Sequence, residues 1–258
     1  NGKGSVTAMV DTALLAEGRR SARYTSPHLV DLTERFVIGG RPVDRGVLAS
    51  AVTRVRTVVE DLLADGRLEA QPTFFEVTTA VAFELFRRAG VDIAVCEVGL
   101  GGRLDATNVL QPVVTAITSI GLDHEQYLGQ TLRDIAIEKA GIIKPGVPVV
   151  VGRMPAAALE AIEEIARRRQ APIVHAGAAA DRAILGEYGD ATLALPGDHQ
   201  VSNAVVAVQI LRTLQSQGLE LSKRAVISGL TDVVWPGRLD ARRLPDGRVM
   251  LLDAAHNP

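Results

Sequence analysis

The sequence predicts an α/β fold in which a parallel sheet is flanked by helices. Two observations predict this class. Short β-rich runs alternate along the chain with longer helical runs, which is the pattern of a parallel sheet covered by helices. The 258 residues are also 47% apolar and 22% charged, a mixture typical of a globular chain with a substantial core.

The strand predictions rest on short runs of β-branched and apolar residues. These runs cover residues 22–26, 91–98, 113–119, 147–152, 172–175 and 249–253. Most helix predictions rest on longer segments whose apolar side chains recur near helical spacing. The first helix is predicted because it follows a glycine-rich loop, and the helix after Pro155 because proline is tolerated at the start of a helix. The predicted helices cover residues 4–16, 45–65, 74–88, 131–142, 156–169 and 200–217.

Three segments depart from simple alternation. Residues 34–43 predict a hairpin around Gly39-Gly40, and residues 183–195 predict a further β excursion with turns at Gly186 and Gly189. The Trp235-Pro236-Gly237 segment is the clearest break, because Pro and Gly together end regular structure. We therefore expect one domain over residues 1–240 and the start of a second over residues 241–258, with the boundary near residues 238–243.

Charge and cysteine content narrow the class of protein. The 28 Lys and Arg residues nearly balance 30 Asp and Glu residues, and this argues against a dedicated nucleic-acid binder. The single cysteine, Cys96, excludes an intrachain disulfide and a cysteine-cage metal site, and it fits a reducing compartment. With no predicted membrane span or signal peptide, we expect a cytoplasmic protein without a membrane partner.

The two ends of the sequence are unusual. The chain opens without Met inside a glycine-rich loop, and it stops at His256-Asn257-Pro258 without a closing element. We therefore expect truncation at both ends.

The opening loop predicts a phosphate site. Asn1-Gly2-Lys3-Gly4-Ser5 runs directly into a helical segment, so backbone N–H groups would converge beside the charge of Lys3. Ser5 could supply a hydroxyl to magnesium, although Gly4 takes the position where the usual P-loop has Ser or Thr. A flexible glycine turn is the alternative interpretation.

Polar residues also follow two of the predicted strands. Glu97 ends an apolar strand and precedes a loop with three glycines, where it could bind a metal or orient water; the alternative is a salt-bridged turn. His124 lies in the polar segment that follows the strand predicted over residues 113–119. A neutral imidazole is a common metal ligand, although a lone His is more often structural.

Lys139 lies near the end of a largely apolar helix, where a lysine usually snorkels or pairs with Glu138.

Together these segments resemble the folylpolyglutamate synthase and dihydrofolate synthase family of the Mur ligase superfamily. The ordered motifs that carry the resemblance are NGKGS, TSPHL, ERF, PTFFE, CEVGLGGRLDATN, GLDHEQYLG, IAIEKAGI, HQVSNA, WPGRLD and LLDAAHNP. The family normally has Gly-Thr before the first motif and a C-terminal Rossmann-like domain after the last. In addition, Ala254 stands where the family often has Gly.

The resemblance implies a role for each matching residue. It implies a Mur ligase-type central domain that binds ATP, two magnesium ions, and a carbamylated Lys139. The implied catalytic residues are Lys3, Glu97, His124 and Lys139. The implied magnesium ligands are Ser26, Glu97 and His124. The implied ATP-binding residues are Asn1, Gly2, Lys3, Gly4, Ser5, Asn203, Arg238, Asp253 and His256. The implied acceptor-binding residues are Thr73, Phe74, Phe75, Glu76, Leu104, Asp105 and Ala106.

The reaction implied by the resemblance is ATP-dependent addition of L-glutamate to dihydropteroate or to a folate, with an acyl phosphate intermediate. The protein would then act as a monomer in folate biosynthesis and one-carbon metabolism. Two alternatives stay open: a superfamily member with a different acceptor, against which residues 72–76 and 99–105 argue, and a nucleotide-binding module without turnover.

Overall fold

The structure is a computed structural model that describes residues 1–122, 124–177, 181–189 and 192–254. Its helices are α1 (Lys3–Ala16), α2 (Arg45–Ala64), α3 (Phe74–Ala89), α4 (Glu125–Leu128), α5 (Leu132–Ala140), α6 (Ala156–Arg168), α7 (Asp181–Gly186), α8 (Asp198–Ser216) and α9 (Lys223–Thr231). Its strands are β1 (Ser21–Tyr24), β2 (Phe36–Ile38), β3 (Arg41–Pro42), β4 (Ile93–Cys96), β5 (Thr115–Ile117), β6 (Val149–Gly152), β7 (Ile173–Ala176), β8 (Asp240–Arg243) and β9 (Val249–Leu252). Short 3-10 helices lie at Leu32–Arg35 and Ala106–Val109.

The described strands form three sheets. The first has the order β3-β2-β1-β4, in which β1 pairs with β4 in parallel and with β2 antiparallel. The second is fully parallel with the order β5-β6-β7. The third is the antiparallel pair of β8 and β9. The predicted parallel arrangement and the predicted hairpin over residues 34–43 are therefore confirmed, but the parallel strands are divided between two sheets.

Helices cover both faces of the β5-β6-β7 sheet, as its sequence requires. Successive residues of a strand point to opposite faces, and β6 is buried on both of them. Val150 joins the core formed with α1, α8 and α9, whereas Val149 and Val151 join the core formed with α5 and α6. A third core packs β1 and β2 against α2 and α3.

A cleft of about 550 Å³ separates β4 from β5. Strand residues of β4 and β5 line its walls, and α1 contributes Val6 and Val10. At one end the cleft is lined by Lys3, Glu97 and Thr118. Since Glu97 directly follows β4 and Thr118 directly follows β5, this end is the carboxyl end of both strands, where ligands bind in open α/β sheets.

Most element predictions match the structure within a few residues, and one is wrong. Residues 183–195 were expected to form a β excursion, but α7 occupies Asp181–Gly186 and no described residue between 183 and 195 lies in a strand. The reason is tertiary packing, because Ile184, Leu185 and Tyr188 contact the core that contains α8. The sequence analysis also missed α9, which packs against α1. Among the described helices, none is long and apolar enough to cross a membrane.

Candidate active site

The opening loop has the backbone of an anion site. Gly2 adopts the left-handed conformation (φ 81°), and α1 begins at the next residue, Lys3. The carbonyl of Gly2 already accepts the N–H of Val6 at 3.1 Å, so the helix is hydrogen-bonded from its first turn. The N–H groups at the start of a helix have no partner within that helix, and they favour an anion. Lys3 adds a full positive charge at the same place.

Hydroxyl groups after β5 fix the loop to the sheet. Thr118 Oγ1 donates a hydrogen bond to the carbonyl oxygen of Asn1 at 2.6 Å, and Ser119 Oγ donates to the same oxygen at 3.2 Å. Residues 1–5, which we call the phosphate loop after their predicted role, are therefore held at the carboxyl end of the parallel strands.

Glu97 is a buried carboxylate beside this loop. Its residue is 7% exposed, and burial raises the pKa of its carboxyl group, while the positive charges of Lys3 and Arg238 act to lower it. The backbone N–H of Ser26 donates to Glu97 Oε2 at 3.4 Å. The structure thus brings together Lys3, Ser26, Glu97 and Arg238, which the sequence analysis had assigned separately.

The predicted magnesium ligands occupy two kinds of environment. Glu97 and Ser26 offer a carboxylate and a hydroxyl, which are the hard oxygen ligands that Mg²⁺ prefers, so this pair fits the ion. His124 is exposed at the N-terminus of α4, with a left-handed backbone (φ 52°). Within the described part of the chain, His, Cys, Asp and Glu side chains do not form a cluster of three that could hold a metal alone.

Asn203 on α8 contacts the phosphate loop. A Cβ atom added at Gly2 would overlap the side-chain amide of Asn203, so the two residues are packed together. Asn203 Nδ2 donates to Gln200 Oε1 at 2.9 Å, and Gln200 is only 1% exposed. Gln200, which belongs to the HQVSNA motif but was given no role from the sequence, therefore fixes the orientation of the Asn203 amide.

The remaining predicted ATP-binding residues lie near the chain's last strands. Arg238 is half-buried and precedes β8, and exposed Asp253 directly follows β9. The backbone N–H of Ala254 donates to the carbonyl oxygen of Gly237 at 2.8 Å, which holds the residues after β9 against the segment that leads into β8. His256 lies outside the described residues.

The glycine-rich loop after Glu97 is organised by Asp105. One carboxylate oxygen accepts the N–H groups of Gly99 (2.9 Å) and Leu100 (3.0 Å), and the other accepts the N–H of Thr107 (2.9 Å). Asp105 is 9% exposed, and its carboxylate is saturated by these bonds. Its contacts are those of a loop organiser rather than of a side chain that faces a ligand.

The same loop packs against the end of α5, which carries Lys139. A Cβ at Gly102 would lie 2.7 Å from the Lys139 carbonyl oxygen, so only glycine permits this approach. The N–H of Arg103 donates to the Glu138 carbonyl oxygen (2.9 Å), and their side chains form an ion pair of 2.9 Å. The half-buried Lys139 is therefore held next to the loop that follows Glu97.

The residues predicted to bind the acceptor have separate tasks in the structure. Thr73 and Glu76 form a reciprocal capping box at the start of α3, with Glu76 Oε2 accepting the Thr73 N–H at 2.7 Å. Phe75 packs against Gly99, and its ring centroid lies 5.9 Å from that of Tyr24. Phe74 is 59% exposed, with the Arg35 guanidinium 5.3 Å from its ring centroid, and Leu104 is 80% exposed. Ala106 begins a 3-10 helix and is half-buried.

Further residues near the site carried no chemical signal in the sequence. Asp11, 1% exposed on α1, accepts a hydrogen bond from Ser21 Oγ at 2.6 Å and pairs with Arg23 at 3.4 Å. The Arg23 guanidinium lies 5.0 Å from the ring centroid of Trp235. The sequence signal that could have pointed to this cluster is Trp235 itself, the single tryptophan, placed directly before Pro-Gly.

Comparison with known proteins agrees with these motifs along the whole chain. No protein-family model matches. The curated dihydrofolate synthase/folylpolyglutamate synthase of Bacillus subtilis (strain 168) is 37% identical over 274 residues, which cover 100% of this chain and 63% of that protein. A solved folylpolyglutamate synthase in complex with AMPPCP has a TM-score of 0.90 at 31% identity, covering 100% of this chain and 67% of that one. A complex with AMPPCP and folate has a TM-score of 0.89 at 31% identity, covering 100% and 66%.

The chain spans about three fifths (63%) of the length of this curated relative. The similarity includes the phosphate loop, the residues that follow β4 and β5, and the segments before β8 and after β9. The structural agreement extends over the whole chain and identifies a Mur ligase-type fold. The chain belongs to the folylpolyglutamate synthase and dihydrofolate synthase family.

Proposed function

We propose that this chain is the ATP-binding part of a ligase that adds L-glutamate to dihydropteroate, to a folate, or to both, with release of ADP and phosphate. The observation that carries the proposal is the convergence of the phosphate loop, buried Glu97 and Arg238 at the carboxyl end of β4 and β5. Membership of the family and the AMPPCP and folate complexes of its solved members support it.

The phosphate loop would bind the ATP phosphates. The N–H groups at the start of α1 would donate to phosphate oxygens, and Lys3 would neutralise charge on the transferred phosphoryl group. Asn203, held by Gln200 against Gly2, would fix the nucleotide side of the loop. Arg238 would add a second positive charge near the same phosphates.

Ser26 and Glu97 would hold magnesium with the phosphates, and His124 is the third proposed ligand. When bound, the ion would supply charge neutralisation on the phosphoryl oxygens during transfer. The burial of Glu97 serves this task, because a carboxylate that is poorly solvated gains most from a bound cation.

The reaction itself requires activation of a carboxylate, which is a poor acyl donor. An acceptor carboxylate oxygen would attack the γ-phosphorus of ATP, and the bond to the ADP oxygen would break. The glutamate amine would then attack the acyl carbon, phosphate would leave with the former carboxylate oxygen, and the new amide would lose one proton to solvent. Lys3 and the loop N–H groups would stabilise the negative charge during the first step.

We also propose that Lys139 is carbamylated. Its position at the end of α5, against the loop that follows Glu97, would place an added carboxylate on the metal side of the site. High-resolution mass analysis of the intact protein tests this modification.

The acceptor would bind over the exposed apolar side chains Phe74 and Leu104, both near the glycine-rich loop. The incoming glutamate would be held by parts of the protein outside this chain. We further propose a cytoplasmic monomer. The single cysteine, a half-buried thiol whose pKa is raised to about 12 by burial, fits the reducing compartment.

The test is product analysis by mass spectrometry on the complete protein with magnesium, ATP and glutamate. Dihydropteroate and a reduced folate monoglutamate are offered in separate reactions. A mass gain of one glutamate on either acceptor supports the proposal and assigns the enzyme as synthase, chain extender or both. ATP binding without a product on either acceptor would favour a nucleotide-binding protein or a different acceptor.

A further inference from the structure

Trp235 occupies the space beside Gly4 of the phosphate loop. A Cβ atom at Gly4 would lie 2.7 Å from Trp235 Cζ2, closer than Cβ atoms approach other heavy atoms, and 3.1 Å from Cε2, which is a tight contact. Gly4 lies within α1 and does not have a left-handed backbone, so glycine is required there by space rather than by conformation. This explains why the loop lacks the usual Ser or Thr at this position.

A second set of contacts holds the indole from β1. The Arg23 guanidinium lies 5.0 Å from the Trp235 ring centroid, within the range of a cation–π interaction. Arg23 is in turn paired with Asp11 of α1 at 3.4 Å, and Asp11 also accepts from Ser21 at 2.6 Å. Trp235 is thus held between the first turn of the phosphate-binding helix and a charged pair that joins α1 to β1.

The residues that follow Trp235 reach other parts of the site. A Cβ at Gly237 would lie 3.1 Å from Leu29, in the loop that follows Ser26, and the Gly237 carbonyl accepts the N–H of Ala254 after β9. Arg238 acts electrostatically on Glu97. Trp235 and Gly237 therefore contact the phosphate loop, the Ser26 loop and Ala254 after β9, and Arg238 follows them directly.

We infer that Trp235 is a positioning residue that couples occupancy of the phosphate loop to the placement of Arg238 and the β8–β9 pair. The inference rests on the proposed binding of nucleotide at the loop. Movement of the first turn of α1 on phosphate binding would press on the indole through Gly4, and the 235–238 segment would carry that displacement to β8. Without the indole, Arg238 would lose its fixed position beside Glu97.

A double-mutant cycle in the complete protein tests the packing of Gly4 against Trp235. Gly4→Ala and Trp235→Leu are each expected to raise the KM for ATP about tenfold. In the Trp235→Leu background, Gly4→Ala is expected to add little, because the atoms that it would overlap are gone. If the KM changes of the two single variants simply multiply in the double variant, the two residues act independently and the inference is overturned.

A matched core variant separates positioning from general destabilisation. Val226→Ala removes buried methyl groups from α9, in the same core cluster, without touching the phosphate loop. It should lower the melting temperature as much as Trp235→Leu while leaving the KM for ATP within about twofold. An equal rise in KM for Val226→Ala would overturn the positioning role. Trp235→Phe should retain part of the coupling, because an aromatic ring stays beside Arg23.

Fluorescence gives a direct readout of coupling. Trp235 is the single tryptophan of these 258 residues, and the difference between wild type and Trp235→Phe isolates its emission in the complete protein. Titration with AMPPCP and magnesium should shift the emission of Trp235. The midpoint of this change should equal the Kd measured by calorimetry. Binding by calorimetry without any emission change would overturn the coupling alone. Absence of nucleotide binding would overturn both the coupling and the proposed function.

Discussion

The proposed nucleotide side and the proposed acceptor side of this site differ in how far their residues are buried and hydrogen-bonded. On the nucleotide side, Glu97 and Asn203 are buried beside a loop that is hydrogen-bonded to the residues after β5. On the acceptor side, Phe74 is 59% and Leu104 80% exposed. The difference teaches that the proposed phosphate site is ordered when the chain folds, whereas the proposed acceptor surface would gain apolar burial when it binds a ligand.

The largest expected effect falls on the charges of the nucleotide side. Lys3→Ala and Glu97→Gln should each reduce kcat about 1,000-fold or more in the complete protein, since each removes a charge that acts on the phosphoryl group or its metal. Glu97→Gln should also raise the melting temperature of the ligand-free protein, because burial disfavours the ionised carboxylate. Steady-state kinetics and thermal unfolding measure both effects.

Matched controls for this prediction are Lys223→Ala and Glu69→Gln. Both residues are exposed and lie outside the site. If either site variant kept near-normal kcat, that residue would be removed from the mechanism.

The next effect concerns the glycine-rich loop that joins the two sides. Asp105→Ala leaves the N–H groups of Gly99, Leu100 and Thr107 without their acceptor, and we expect a loss of about 2–3 kcal/mol in the free energy of unfolding. Urea denaturation measures it, with exposed Asp61→Ala as control. A loss below ~0.5 kcal/mol would mean that the loop does not depend on this carboxylate.

A smaller effect is expected for the amide that orders the nucleotide side. Asn203→Ala should raise the KM for ATP about tenfold, the equivalent of one lost hydrogen bond of about 1.4 kcal/mol, without changing the KM for the acceptor. Ser202→Ala, at the neighbouring exposed position of α8, should leave both constants unchanged. A rise in the acceptor KM instead would place Asn203 at the acceptor surface.

The smallest effect is expected on the acceptor side. Phe74→Ala should raise the acceptor KM about fivefold, equivalent to ~1 kcal/mol, because it removes one exposed ring from the proposed surface. The melting temperature should hardly change, since the ring is mostly exposed. Val58→Ala, at a similarly exposed apolar residue (56%), is the control. An unchanged acceptor KM for Phe74→Ala would remove this ring from the surface.

Sequence reasoning succeeded where local chemistry determines structure. The glycine loop before α1 and the hairpin at Gly39-Gly40 follow from backbone preferences that the sequence states directly. It failed for α7, since contacts with the α8 core outweighed the turn signals of Gly186 and Gly189. The helix over residues 223–231 was not predicted, although Ser222 before it is a typical N-cap residue.

The site residues also differ in whether the local sequence was enough to predict them. Lys3 and Glu97 could be proposed from strand ends and loop motifs, because those positions meet in any parallel sheet. Arg23 could not be proposed, since its task depends on Trp235, which is distant in sequence. Gln200 lies only three residues before Asn203 on α8, a spacing at which helical side chains meet, but nothing in the sequence shows that the two amides bond. Asp105 was assigned to the acceptor by resemblance, yet its hydrogen bonds organise the loop backbone.

Calorimetric titration of the complete protein with AMPPCP and magnesium, in the absence of any acceptor, tests the central claim most directly. The account predicts binding at one site without folate, lost in Lys3→Ala, because the nucleotide side is already assembled. Binding that required prior addition of the folate acceptor would contradict it, since the nucleotide side would then depend on the acceptor side for its structure.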